Sequence, residues 1–165
     1  MSDIQDVGVR FIEPEEGVHR RKRIRLEGFD YRSDGYYFVT ICTHRGKPSI
    51  GRYKDIIERM LLSLPERFLG LKVDWYVLMP THAHVIFAFN GMKKNLSEVV
   101  RTFKALVTKQ IGPKFWQRNY YEHVIRNENA LLKIREYIEN NPLEKNIRFK
   151  EFYEGGSDKS DPYKG

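Results

Sequence analysis

The sequence predicts an α+β fold: a four-stranded antiparallel sheet with two helices on one face and a further helix at the C-terminal end. Three observations predict it. Aromatic and β-branched runs alternate with segments of helical apolar spacing, in the order strand, helix, strand, strand, helix, strand, helix. The two middle strands are separated only by Pro80-Thr81, a connection that suits a hairpin. A hydrophobic content of 41% with 13% aromatic residues, in a chain of 165, supplies one packed core and excludes a disordered chain.

The elements follow in order. Residues 1–19 have no sustained period and are expected to form a flexible arm, with an acidic stretch at Glu13-Pro14-Glu15-Glu16. A single domain is expected over 20–150, opening on the basic segment Arg20 to Arg25. The run Gly35 to Cys42 (GYYFVTIC) is the first strand, closed by the turn residues His44-Arg45-Gly46-Lys47-Pro48. Asp55 to Leu69 carries apolar residues at 56, 57, 60, 61, 64 and 68, a helical spacing that Pro65 shortens or kinks; Gly70 stops it. Lys72 to Met79 and His82 to Phe89 are the second and third strands. A helix to about Gln110 follows, capped by Asn95 or Ser97 and ended at Gly112-Pro113. Tyr120 to Ile125 is the fourth strand, and Glu128 to Asn140 the last helix, stopped by Asn141-Pro142. Residues 151–165, rich in Gly, Ser, Asp and Lys, are expected to be a disordered tail.

Charge bounds the partners. A net charge of +7 and a pI near 9.4 suit a polyanion, of which nucleic acid is the commonest. The cations concentrate at Arg20, Arg21, Lys22, Arg23 and Arg25, which are either a DNA clamp or a solvated run. Lys104, Lys109 and Arg118 beside Trp116 mix charge with an aromatic, as single-stranded DNA binding requires; Trp116 is alternatively core. Cys42 cannot form an internal disulfide, which suits a reducing cytoplasm. No run reaches the ~18 apolar residues of a membrane span, and no membrane partner is expected.

The residues that carry chemistry fall in two stretches, one at the middle of the domain and one near its C-terminal end. His82 and His84 flank Ala83 on one strand and therefore share a face. They are either half of a divalent-metal site or two imidazoles that hydrogen-bond to neighbours. Tyr137 and Asn141 are four apart on the last helix and share a face in turn. Set together, the four make a phosphoryl-transfer constellation. The imidazoles and the amide oxygen would hold Mg²⁺ or Mn²⁺, and the phenol would attack phosphorus. Tyr120 and Tyr121 are rival nucleophiles, or else strand packing or base-stacking surfaces. His123 is a further ligand, a phosphate-orienting group or a structural histidine. Asp74 and Glu122 are either partners of the imidazoles or surface carboxylates.

His82-Ala83-His84 resembles the histidine–hydrophobic–histidine motif of single-tyrosine HUH transposases. Arg21 to Leu26, Tyr37 to Thr40, Met79 to His84, Phe115 to Arg118, Glu122 to Arg126 and Tyr137 to Pro142, in that order, are similar to the REP-associated tyrosine transposase branch. The resemblance covers about residues 20 to 148. It implies a ferredoxin-like fold whose C-terminal helix carries the nucleophile. It also implies metal-dependent cleavage and rejoining of single-stranded DNA near hairpins through a 5′-phosphotyrosine, with a free 3′-hydroxyl. It places Tyr137 as nucleophile and His82, His84 and Asn141 as ligands of Mg or Mn, Asn141 standing where the wider superfamily often carries glutamine. Arg20 to Arg25 would help to hold the hairpin or its flank. The implied setting is the bacterial cytoplasm, bound to nucleoid DNA, with hairpin or single-stranded DNA as partner and a homodimer as one working state. The rival readings are a domesticated hairpin-binding protein without strand transfer, and an RNA-binding or ribonuclease module of the same fold.

Overall fold

The computed structural model describes residues 28–145 and 147–153. The basic segment Arg20, Arg21, Lys22, Arg23 and Arg25 therefore lies outside the described residues, as does most of the expected arm and tail. Strands β1 (Gly35–Cys42), β2 (Leu71–Leu78), β3 (His82–Phe89) and β4 (Tyr121–Ile125) form one sheet in the order β2-β3-β1-β4. Every neighbouring pair is antiparallel. The helices are α1 (Lys54–Arg67), α2 (Leu96–Ile111) and α3 (Glu128–Asn140). This is the split βαβ arrangement the element order predicts.

Alternation along the strands divides the molecule into two layers of core. Tyr37, Val39 and Ile41 of β1 and Val85, Phe87 and Phe89 of β3 point to one side. There they meet Ile57, Leu61 and Leu64 of α1 and Val99, Val100, Phe103 and Val107 of α2. The intervening residues Phe38 and Ile86 point the other way, against Ala130, Leu131, Ile134 and Ile138 of α3. The C-terminal helix thus closes the second face of the sheet. A register shift between Val73 and Trp75 lets β2 change faces, so that Val73 joins the first layer while Trp75 and Val77 join the second.

Local chemistry fixes the element ends. Asn95 caps α2, its side chain accepting from Glu98 N at 3.0 Å, and Asn127 caps α3 by accepting from Ala130 N at 2.7 Å. Pro65 stands inside α1, which ends two residues later at Arg67 rather than at the expected Leu69. Gly70 has φ +94°, and a Cβ there would fall 2.3 Å from the carbonyl oxygen of Asn90. Only glycine lets the α1–β2 and β3–α2 connections approach so closely.

Of the expected tail 151–165 only residues 151–153 are described, and these three are ordered against the body. Phe149–Tyr153 form a short 3-10 turn, with Phe149 fully buried and Phe152 and Tyr153 packed on the same layer as α3. Three aromatic side chains in five residues give this stretch enough apolar surface to dock. Among the described residues no helix is long and apolar enough to cross a membrane.

Candidate active site

The histidines sit on β3 facing α3, on the side of the sheet that also holds Phe38 and Ile86. His82 is paired across the ladder with Cys42, and His84 with Thr40 on one side and Val77 on the other. Their ring centroids are 4.6 Å apart, and both residues are buried. Each imidazole is held at both nitrogens. Thr40 Oγ1 lies 2.8 Å from Nδ1 of His84, and Thr81 Oγ1 lies 3.1 Å from Nδ1 of His82. The Nε2 atoms lie 2.9 Å from main-chain carbonyls, that of Pro142 for His82 and that of Glu144 for His84.

A carbonyl can only accept, so each Nε2 carries the proton and donates it, and each Nδ1 accepts from its threonine hydroxyl. Burial is the main cause that lowers both histidines below their ordinary pKa, His84 down to about 3, with the neighbouring His82 charge as a second cause there. Both rings are therefore neutral at physiological pH, the form in which imidazole coordinates metal.

Two neutral imidazoles on one face, backed by hydroxyls that fix their orientation, fit a divalent cation. A threonine hydroxyl can accept as well as donate. A reversal of the Nδ1 hydrogen bonds would free the Nε2 lone pairs, provided the carbonyls of Pro142 and Glu144 move away. The strap 142–144 that follows α3 is thus the element that closes the histidine face. Among the described residues no three His, Cys, Asp or Glu side chains group as a metal site, so among them a third donor to an ion at the two imidazoles would be an amide or a carbonyl.

Tyr137 and Asn141 sit at the C-terminal end of α3, immediately before that strap. Tyr137 is half-buried, its ring against Phe152 with centroids 5.5 Å apart. Burial, and then the charges of Glu144 and Glu151, raise its pKa, so it is a protonated phenol at neutral pH. Asn141 is exposed and ends the helix: its backbone N–H donates to the Tyr137 carbonyl at 2.8 Å, and its Nδ2 donates to the same oxygen at 3.2 Å. The helix end therefore brings the main chain of 142–144, rather than the Asn141 side chain, onto the imidazoles. A cleft of about 300 Å³ opens beside the strap, lined by Lys54, Glu58, Tyr76, Met79, Glu139 and Pro142 among others.

Other expected site residues fall elsewhere. Trp116 is not a free stacking surface: it is 6% exposed and packs between Phe103 and Phe115, at 5.7 and 4.7 Å between centroids. Lys104 is not a free cation either. Its Nζ donates to the carbonyls of Gln117, Arg118 and Asn119 at 2.8, 3.3 and 3.0 Å, and burial pulls its pKa down to about 8. It ties α2 to the loop before β4, and Arg118 of that loop is exposed. Tyr120 is buried in the first layer of core, while Tyr121, directly opposite Thr40, is buried on the histidine face.

His123 is structural. It stacks on Phe149 at 4.2 Å, and its Nε2 lies 2.7 Å from the hydroxyl of Tyr153. That hydroxyl accepts from Arg126 N at 3.2 Å, so its own proton goes to the imidazole. Asp74 takes a two-pronged hydrogen bond from Arg135 of α3, one arm of it at 2.9 Å. Glu122 accepts from the hydroxyl of Tyr31 at 2.9 Å. Neither carboxylate has an imidazole as its described partner. Thr40 and Thr81 were not among the expected site residues. The signal for Thr40 was available, one threonine in a strand that after Gly35 is otherwise aromatic, aliphatic or sulfur-bearing, and on the parity that faces the histidines.

No family model matches the chain. An uncharacterized protein of Haemophilus influenzae is 32% identical over 163 residues, covering 77% of this chain and 91% of that protein. Among solved structures, a REP-associated tyrosine transposase bound to a REP hairpin superposes with a TM-score of 0.62 at 22% identity, covering 72% of this chain and 73% of that one. That likeness shows the fold.

Proposed function

We propose that this chain, which belongs to one family with the Haemophilus influenzae protein and has the fold of the REP-associated tyrosine transposase, is itself a transposase of that type. It would cleave and rejoin single-stranded DNA beside a hairpin. The single observation that carries the reading is the pair of neutral, hydroxyl-oriented imidazoles on β3 facing the end of the helix that bears Tyr137.

The residues divide the work as follows. His82 and His84, with Asn141 as the third donor, would hold Mg²⁺ or Mn²⁺. When bound, that ion supplies Lewis-acid polarisation of the scissile phosphate and stabilises charge on the leaving oxygen. Thr40 and Thr81 set the tautomer of the two rings. The Tyr137 oxygen attacks phosphorus and forms a phosphotyrosine with the 5′ end of the strand downstream of the break. The bond to the 3′-oxygen breaks, and that oxygen leaves as a free hydroxyl with a proton taken from solvent. The phenolic proton goes to solvent in turn, against a pKa that burial and the charges of Glu144 and Glu151 raise. Rejoining is the reverse attack by a 3′-hydroxyl. One such tyrosine per active site means that exchange of two ends uses two sites, as a homodimer would supply, or one site twice, as in a monomer.

The second reading, a hairpin-binding protein without strand transfer, draws on one observation: both Nε2 atoms are already satisfied by the chain's own carbonyls. A denaturing gel of end-labelled hairpin DNA with Mg²⁺ or Mn²⁺ separates the two. Strand transferase activity gives metal-dependent cleavage that disappears in His82→Ala and Tyr137→Phe. Tight binding with an intact strand across all metals tested would contradict the enzyme reading.

A further inference from the structure

Two loops meet at the end of the sheet where β1 finishes. One runs from Thr43 to α1, the other from α2 to β4. They are stitched together by hydrogen bonds from His44 N to Phe115 O at 2.9 Å and from Gln117 N to Cys42 O at 2.8 Å. Between them lies a cleft of about 190 Å³ lined by His44, Lys47, Ser49, Tyr53, Lys114 and Phe115, among others. Its wall is one-sided in charge: it holds Lys47 and Lys114 and no carboxylate. The loop stretches 43–53 and 112–120 that form it carry Arg45, Arg52 and Arg118 besides, and again no carboxylate. The 300 Å³ cleft by Pro142, in contrast, has Glu58 and Glu139 in its wall.

Two further observations set this cleft apart. Among the described residues, the non-glycine residues with positive φ are Arg45 (54°) and Lys114 (63°), one on each of these loops. That backbone conformation is uncommon for L side chains and concentrates at ligand-binding sites. The wall also combines cation with ring: Tyr53 is half-buried with the Arg52 guanidinium 5.4 Å from its ring centroid, and its ring meets Phe115 edge-on at 6.0 Å. Cations that track a phosphate chain beside aromatics that accept bases are the two requirements for an unpaired strand.

Position links the cleft to the histidines. Thr43 follows Cys42, the ladder partner of His82; its N–H donates to the carbonyl of Thr81 at 2.9 Å, and its Oγ1 donates to the carbonyl of Lys47 at 2.7 Å. Thr81 in turn holds Nδ1 of His82. We propose that this cleft binds the single-stranded DNA flank of the hairpin substrate, with Lys47 and Lys114 on its phosphates and Tyr53 offering a ring to a base. The inference rests on the reading that single-stranded DNA beside a hairpin is the substrate.

The test is fluorescence anisotropy on the full chain, with one hairpin DNA carried both blunt and with a short single-stranded flank. Wild type binds the flanked form more tightly. In Lys47→Glu/Lys114→Glu the ratio of flanked to blunt affinity falls about tenfold, and the salt slope for the flanked form drops by about 1.4, two single-strand phosphates at ~0.7 each. Lys47→Gln/Lys114→Gln, which removes the cations without adding charge, shifts the ratio in the same direction, and circular dichroism confirms that both variants fold. An unchanged ratio, or an equal loss on both DNAs, overturns the cleft; so does a flank preference for RNA over DNA. Covalent capture on wild type reports separately on strand transfer. A DNA adduct with an unchanged variant ratio removes the cleft alone, whereas a lowered ratio without any adduct keeps the cleft and removes the enzyme reading.

Discussion

The two faces of one sheet are built from alternate residues of the same four strands, yet they bury different chemistry. The face under α1 and α2 is closed mainly by aliphatic and aromatic side chains such as Val85, Phe87, Leu61 and Phe103, and the carboxylate it buries, Glu122 opposite Val39, sits on edge strand β4 and accepts from Tyr31. The face under α3 buries Thr40, His82, His84 and His123 among its apolar residues. A buried polar group is costly unless paired, and these are paired: hydroxyl to imidazole, imidazole to carbonyl, imidazole to phenol. The difference separates two jobs. The first face holds the fold. The second keeps polar groups in fixed orientation beneath a helix end and a strap that hydrogen bonds, rather than interdigitated side chains, hold in place.

That division can be broken by mutation. The largest expected effect on stability is on the first face: Phe103→Ala removes a fully buried ring and should cost about 3–5 kcal/mol in denaturant unfolding. On the second face, His84→Ala should abolish metal-dependent strand cleavage while costing less than half as much stability. If His84→Ala unfolds the protein as far as Phe103→Ala does, the two faces do not divide the work. Thr40→Val tests the orientation of the ring behind the metal site. It should lower Mn²⁺ affinity by about 10–100-fold, measured by calorimetric titration, with the fold retained.

Acid sharpens the same contrast. Burial, and then the Arg126 charge, hold His123 well below its ordinary pKa of 6.5. Above pH 6.5 the ring is neutral in folded and unfolded chains alike and titration contributes nothing. As the pH falls below 6.5 the unfolded chain takes up a proton that the folded chain excludes, so stability drops. His123→Gln should make that acid dependence shallower in thermal melts, with His82 and His84 keeping their share of it, and the lost stack on Phe149 lowers the melting temperature at neutral pH. The smallest expected effect is that of Asp74→Asn. It weakens the Arg135 pair at the partly exposed edge of α3 and should cost about 1 kcal/mol or less, with cleavage retained.

Much of the architecture was legible in the sequence because it is written in periodicity. β1, β3 and α3 have the residue bounds that alternation, helical spacing and cap residues indicate, and the hairpin at Pro80-Thr81 follows from its length. What periodicity cannot report is depth. Trp116 and Lys104 looked like DNA contacts because an aromatic and a cation near a loop are equally consistent with surface and core; tertiary packing put the ring between Phe103 and Phe115 and the ammonium under three carbonyls. The strap was illegible for a different reason. Its contribution comes from the carbonyls of Pro142 and Glu144, and main-chain oxygens leave no residue signature. The docking of Phe149, Phe152 and Tyr153 was masked by the polar composition of the residues that follow them.

The central claim is that the phenol at the end of α3, rather than the tyrosines of β4 and the residue before it, forms the covalent bond to DNA. Peptide mapping of the captured adduct addresses it most directly. Trypsin releases Tyr137 in a peptide running from Glu136 to Lys145, and Tyr120 with Tyr121 in one from Asn119 to Arg126. Wild type should be incubated with hairpin DNA and Mn²⁺, digested with nuclease and trypsin, and analysed by mass spectrometry. The account predicts a nucleotide phosphate on the peptide that holds Tyr137. The same mass on the peptide that holds Tyr120 and Tyr121, where Tyr121 lies opposite Thr40 on the histidine face, would contradict it.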